Sequence, residues 1–413
     1  MTFSALPFRS SLTAYEQQAN ALLAAWRAAD PQAIRVFREH HPRFLDERIP
    51  WLPKRLSDAE VQAVRLDRSD ARLATARCYS FQSWPDLVAW VETVARPGSP
   101  VATFESAVQA VIAGDEFTLE QLLQGHPKLV RARSTLVTHH DPPVHGATLL
   151  HYLAANGVED WRQQTPKNAV RVARQLLDAG ADPDALAGMY GGQHATMSML
   201  VSSSHPATAG VQVALVDTLV DYGASVEARG VGEWTSPLAT ALAFGFRDAA
   251  EALVRRGARV DNVATAAGLG RLERVRALLP TSASLDRHRA LTLAAQHGHV
   301  EIVQLLLDAG ETRTVTTQRV ITLTPPLCTR PSGRVRKRSS TCSSSEGRVW
   351  ISRTRSGRAR RWAGLNTANA PRSQPIFAGG APRHDQRGLA PGPEPFRFKR
   401  NGHSNLCCLP ALL

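Results

Sequence analysis

Cysteine is scarce. The 413 residues contain five, and only Cys78 falls before residue 312. A body with one cysteine holds no internal disulfide, which suits a reducing compartment. Long apolar runs are missing as well: no stretch of about 18 apolar residues exists, so no membrane span is expected. Met1–Asn20 lacks the apolar centre of a signal peptide, and the expected location is the cytoplasm. No Gly-rich phosphate loop follows a strand pattern, and no serine sits in a G-x-S-x-G turn. No catalytic triad or carboxylate pair stands in a recognisable context. The expectation is therefore no enzyme, no catalytic residue and no cofactor.

Acidic residues are scarce in one region only. The formal net charge is +13. Residues 312–413 hold 19 Lys and Arg against 3 Asp and Glu, and residues 1–311 hold the other 30 and 33. The first 311 residues are thus nearly neutral, and the basic character belongs to the last 102. Salt-sensitive nucleic-acid binding is tied to that segment alone and is a secondary expectation.

A repeated pattern is present. Thr148-Leu-Leu-His-Tyr-Leu-Ala-Ala-Asn-Gly157 opens a unit that closes with Val172-Ala-Arg-Gln-Leu-Leu-Asp-Ala-Gly-Ala-Asp-Pro183. The ending is echoed at Leu219–Val226, Leu253–Val260 and Leu305–Gly310, the opening at Thr235–Gly245 and Leu291–Gly298. Gly223 and Gly257 lie 34 residues apart, whereas Gly180 and Gly223 lie 43 apart, so that unit carries an insertion. Val172, Ala173, Leu176 and Leu177 make one helical apolar stripe, and the glycine after it can take positive φ and end the helix. One such hairpin cannot bury its stripe alone, so neighbours must stack.

These strings resemble ankyrin repeats, whose period is about 33 residues and whose opening is T-P-L-H-x-A; Leu149 stands where that family has proline. Leu149–Val158, Thr165–Ala169 and His205–Val211, with Ala76-Arg-Cys-Tyr-Ser-Phe-Gln-Ser-Trp-Pro-Asp-Leu87, resemble a bacterial ankyrin-repeat family with an N-terminal helical module. Ser80 stands where that family has glycine. The resemblance covers roughly residues 12–311 and supplies no activity. It implies an all-α solenoid of stacked helix pairs with an N-terminal helical cap. It also implies that His151 is structural, bonding backbone between repeats.

Three segments are expected: a helical module over 1–96, an array of about six units over 101–311 beginning with the pair Phe104–Val130, and a disordered basic tail over 312–413. Residues 12–28 read as an amphipathic helix, and Asp30-Pro31 starts a second. Ala29–Pro42 matches Gly114–Pro127 at a constant offset of 85, so the N-terminus is either a degenerate hairpin of the same type or a chance likeness. Tyr79, Phe81, Trp84 and Leu87 admit two readings, a ligand cage or the small core that caps the array. Trp161–Lys167 is inserted between the helices of its unit, and 188–210 belongs to the long third unit.

The segment after Gly310 also reads in another frame. Joining the last base of each codon to the first two of the next lets Thr324–Pro331 read S-T-P-L-H-A-A, the ankyrin opening. Trp350-Ile351 is forced to Asp inside a stretch that can read G-A-R-L-D, and Trp362-Ala363 is forced to Gly inside P-L-G-W-A-E. Just after Glu311 the same recoding permits D-P-N. The expectation is that residues from about Thr312 are a frameshifted product of two further repeats.

The loop His139-His-Asp-Pro-Pro-Val-His145 is the densest potential metal set, but a structural zinc site usually takes four ligands, often cysteines. A solvated loop is the expectation and no metal site is assigned. A metal-dependent enzyme using this loop is the remaining alternative. The leading expectation is protein–protein recognition on loop tips and inner helices, on a concave surface. Interface hot spots are commonly aromatic or Arg, which selects Met189, Tyr190, His194, Arg229 and Trp234 as partner-binding residues.

Overall fold

The computed structural model describes residues 4–49 and 51–311, all within one compact unit. The expected tail, 312–413, lies outside the described residues.

The N-terminal part is built on a helix pair, α1 (Leu12–Arg27) and α2 (Pro31–His40). The Ser11 hydroxyl accepts from the Ala14 N–H, and the Asp30 carboxylate accepts from Gln32 and Ala33. Each cap thereby satisfies amides that a helix start leaves without a partner. Trp26 and Phe37 meet edge-on, ring centroids 4.9 Å apart. The short α3 (Asp58–Gln62) comes next, opened by a capping box between Ser57 and Glu60. It leads to α4 (Arg68–Cys78), which packs on α1 and α2, and α5 (Trp84–Ala95), which carries the contact to the array.

The array has six helix pairs among the described residues. They are α6 (Pro100–Ala113) with α7 (Glu116–Gly125), and α8 (Leu149–Ala154) with α9 (Ala169–Asp178). The third pair has an extra turn: α10 (Thr196–Leu200), α11 (Ser204–Thr208) and α12 (Gln212–Asp221). Then come α13 (Pro237–Ala243) with α14 (Arg247–Arg255), α15 (Val263–Gly268) with α16 (Leu272–Leu278), and α17 (Ser284–Gln296) with α18 (Val300–Asp308). First helices stack in one row, α6 on α8 on α10 on α13 on α15 on α17. Second helices make an outer row through α7, α9, α12 and α14, and α16 packs on α18. One apolar core runs from Phe104 to Leu306. The Val172, Ala173, Leu176, Leu177 stripe is buried in it; fully burying one such Leu is worth about 1.5–3 kcal/mol.

The match at offset 85 is a match of structure. Ala29 and Gly114 both stand in the left-handed region, φ +55° and +70°, in the turn between the two helices. Asp30 and Asp115 both cap the second helix with their carboxylates. A 3-10 turn opening on His-Pro comes after each, Pro42–Phe44 and Pro127–Arg131. The N-terminal pair is a hairpin of the array's own plan.

Three differences from the sequence reading appear. The first array helix starts at Pro100 rather than near Phe104, because Ser99 caps it. The fold is not purely helical: β1 (Leu186–Met189), β2 (Gly192–Ala195) and β3 (Gly230–Val231) form a small antiparallel sheet in that order. The short Arg96–Pro100 stretch is no core boundary either. A single apolar cluster joins Tyr15, Tyr79, Phe81, Leu87 and Trp90 to Ala102 and Leu136, with Trp161 packed against it. Of the two readings of Tyr79, Phe81, Trp84 and Leu87, packing is what their surroundings show: Trp84 is half-buried and the other three are inside.

The insertion of Trp161–Lys167 closes that junction. Arg162 is buried beneath the Trp161 ring, 4.4 Å from its centroid, and 5.9 Å from that of Trp90. Its guanidinium pairs with Glu105 of α6 and lies 3.6 Å from Glu159. Glu159 also takes His145 at 3.0 Å and the Tyr152 hydroxyl at 3.2 Å. Burial alone would raise the Glu159 carboxyl, but the charges of Arg162 and His145 outweigh it and bring the pKa to about 2. A buried charge survives only when paired in this way.

Candidate protein-binding surface

The loops that precede the first-row helices carry the candidate residues. β1 and β2 are joined by the two-residue turn Tyr190-Gly191, with φ +54° and +70°. Positive φ at both central residues is the turn whose twist suits an antiparallel hairpin. The register pairs Leu186 with Ala195 and Met189 with Gly192, and β3 adds Val231 opposite Gln193. The sheet tolerates no side chain at two points. A Cβ on Gly230 would stand 1.9 Å from the Gln193 carbonyl oxygen, and one on Gly192 2.4 Å from that of Val231.

Neighbouring loops hold this sheet in place. The Gly188 N–H donates to the His145 carbonyl at 2.8 Å. The Arg133 guanidinium donates to the carbonyls of Gly146 and Leu186. The Tyr190 hydroxyl donates to the Asn156 side-chain carbonyl and accepts the Gly157 N–H at 3.1 Å. Below, the His151 ring engages Thr148 through Nδ1 and the His194 carbonyl through Nε2 at 3.2 Å. The His151 ring is wholly buried, and that burial takes its pKa down to about 4. It ties one loop to the next, as the repeat resemblance implies.

The five candidate residues gather on this sheet but divide into two groups. Met189 and His194, expected as contact residues, are inside. Met189 is 3% exposed and fills the space above Gly157, where a Cβ would meet its sulfur at 2.2 Å. His194 is fully buried, and burial holds its imidazole below the ordinary range. Alternation along β1 and β2 turns both side chains inward, a consequence of strand geometry that a loop reading misses. Tyr190 is half-buried with its hydroxyl engaged. Arg229 is exposed, its Nε 3.4 Å from Asp184. Trp234, half-buried with φ +63°, stacks edge-on to Phe244 at 5.5 Å. Sequence reasoning passed over Val231, which stands 70% exposed on β3. The signal was the run Arg229-Gly-Val-Gly-Glu-Trp234, one branched apolar residue between two glycines.

The histidine loop does not assemble a site. His139 Nδ1 lies 3.1 Å from the Ser80 carbonyl, and its ring stacks on that of His140 at 4.2 Å. His145 turns the other way, to Glu159. Among the described residues no group of three or more His, Cys, Asp or Glu is placed to hold a metal ion. No helix among them is long and apolar enough to cross a membrane.

The ankyrin repeat family model matches residues 286–317. Among solved structures, the human ASB11 ankyrin repeat domain is similar: 22% identical, covering 52% of this chain and 87% of that one, with a TM-score of 0.30. No curated protein matches the chain. The family-model match falls on α17 and α18, and the five pairs before them share the same hairpin plan. Ankyrin repeats typically mediate protein–protein interaction and are generally non-enzymatic.

Proposed function

We propose that the chain is a binding scaffold for another protein, and that it meets this partner on the β1–β3 sheet. Arg229, Val231 and the half-buried Tyr190 and Trp234 make the contact, with Met189 and His194 beneath them as packing. The observation that carries this reading is Val231, an apolar side chain left 70% exposed on the edge strand that pairs with β2. A cationic and an aromatic side chain flank it, the composition interfaces favour. We place the protein in the cytoplasm, since Cys78 is buried and unpaired. We also extend the family likeness to the bacterial group with an N-terminal helical module, on the strings at 76–87, 149–158, 165–169 and 205–211.

The test is affinity capture with the full chain and with a double variant, Arg229→Glu with Val231→Asp. Both side chains are exposed, so the thermal midpoint should stay within about 2 °C. A specific interactor held by the parent should be lost from the variant. An interactor retained by both would place binding elsewhere.

A further inference from the structure

One face of the last pair is left, among the described residues, without a following pair. Among the described residues α17 packs on α15, and α18 on α16, with no pair beyond. Position for position, α14 and α18 align at an offset of 53, Gly257 on Gly310. Inside the array that alignment places three small residues beside a leucine: Ala249, Ala250, Ala252 and Leu253 are all fully buried. In the last pair the three alanine positions carry larger side chains, Ile302, Val303 and Leu305, while Leu306 matches Leu253, and Leu305 is only half-buried. Leu307 is half-buried beside it, and Leu285 and Val300 stand 49% and 48% exposed. End units of such arrays ordinarily present a polar outer face.

We propose that this face is the docking face for a further ankyrin hairpin, and that the hairpin is encoded in the frame overlapping codons 312–351. The coding pattern fits in three ways. First, the choices are narrow where the repeat is demanding. In that frame the codon spanning Cys328 and Thr329 encodes only His or Tyr, and it falls where the opening needs His. Second, the spacing agrees. In this chain's own repeats the slot of that His lies 18 residues before the helix-ending glycine, Ala239 to Gly257 and Thr292 to Gly310. In the other frame the His-or-Tyr codon at 328/329 precedes the codon at 346/347, which reads Gly or Arg, by the same 18. Third, the ending matches a described repeat. Thr341–Ile351 can read L-L-L-E-R-G-A-R-L-D, against Leu253-Val-Arg-Arg-Gly-Ala-Arg-Val-Asp261. The Asp forced by Trp350-Ile351 falls four codons after that glycine, as Asp261 falls four residues after Gly257. The ankyrin family model itself runs on to residue 317, past the end of α18.

A single missing base near codon 312, or a ribosome slipping back by one base there, gives this relation between the frames. Either way the basic character of 312–413 is a by-product of the frame.

Two full-length chains test the proposal: the present one, and one from a gene in which the third base of codon 311 is duplicated. The restored chain should unfold roughly 5 °C or more higher, since repeat arrays gain stability with each stacked interface. It should also bind less apolar dye. Leu305→Glu should lower the midpoint more in the restored chain than in the present one, because only there is Leu305 covered on both sides. A stop codon in the second frame before codon 363, or equal midpoints with an equal effect of Leu305→Glu, overturns it.

Discussion

Ala29 and Gly114 hold the same turn with different chemistry. Both are left-handed, a region that costs a residue with a Cβ roughly 1–2 kcal/mol. Ala29 is exposed, so nothing packs on its methyl. Ala29→Gly should therefore stabilise the chain by about 0.5 kcal/mol, the strain relieved less the added freedom of the unfolded glycine. Gly114→Ala should do the reverse. Its Cβ would stand 2.1 Å from the Asn168 side-chain oxygen, and Asn168 donates to the Gly114 carbonyl at 2.8 Å. A loss of about 2 kcal/mol in urea unfolding is expected. His151 gives the chain an acid limit. Its folded-state pKa of about 4 lies below the unfolded value of about 6.5, so the unfolded chain binds more protons between the two. Stability is then level above about pH 6.5 and falls as pH drops toward 4, by about 2 kcal/mol between pH 7 and pH 5 from this group. Unfolding midpoints taken across that window check the slope, and His151→Gln should lessen it by His151's share, leaving what the other buried histidines such as His40 contribute.

Among elements, the outcome turned on whether a segment carries its own period. The second-row helices were legible because Val172, Ala173, Leu176 and Leu177, or Leu253 in its turn, repeat at helical spacing before a glycine. The β1–β2 hairpin was not. Its strands hold four residues each, and Gly188 and Gly192 sit inside them, which depresses any strand pattern. The sheet exists because neighbouring loops supply its partners, and that information is tertiary. Composition drew attention to the stretch 189–234, through its aromatic and Arg residues, but the inward side of each strand, which takes Met189 and His194, was not legible. The Trp161–Lys167 insertion was visible as an interruption, while its role depends on Trp90 and Glu105, 71 and 57 residues earlier than Trp161 and Arg162. Arg162→Ala should strip the counter-charge from two buried carboxylates, at a cost of about 3–5 kcal/mol. Because the cluster bridges α5 and the first array pair, the N-terminal helices should then exchange their amides ahead of the array.

At the scale of the whole described molecule, one hairpin plan recurs from α1–α2 to α17–α18, and stability accrues from each unit against its neighbour. In the proposed reading, function is carried by the loops that the stack aligns. The nearly neutral balance of residues 1–311 agrees with a protein partner rather than a polyanion. The most direct measurement is a hydrogen-exchange footprint of the full chain, alone and with the protein it captures. Binding through the sheet predicts new protection at residues 186–195 and 229–234, with the outer helices α9, α12 and α14 unchanged. Protection confined to those outer helices, with the sheet exchanging as freely as before, would contradict it.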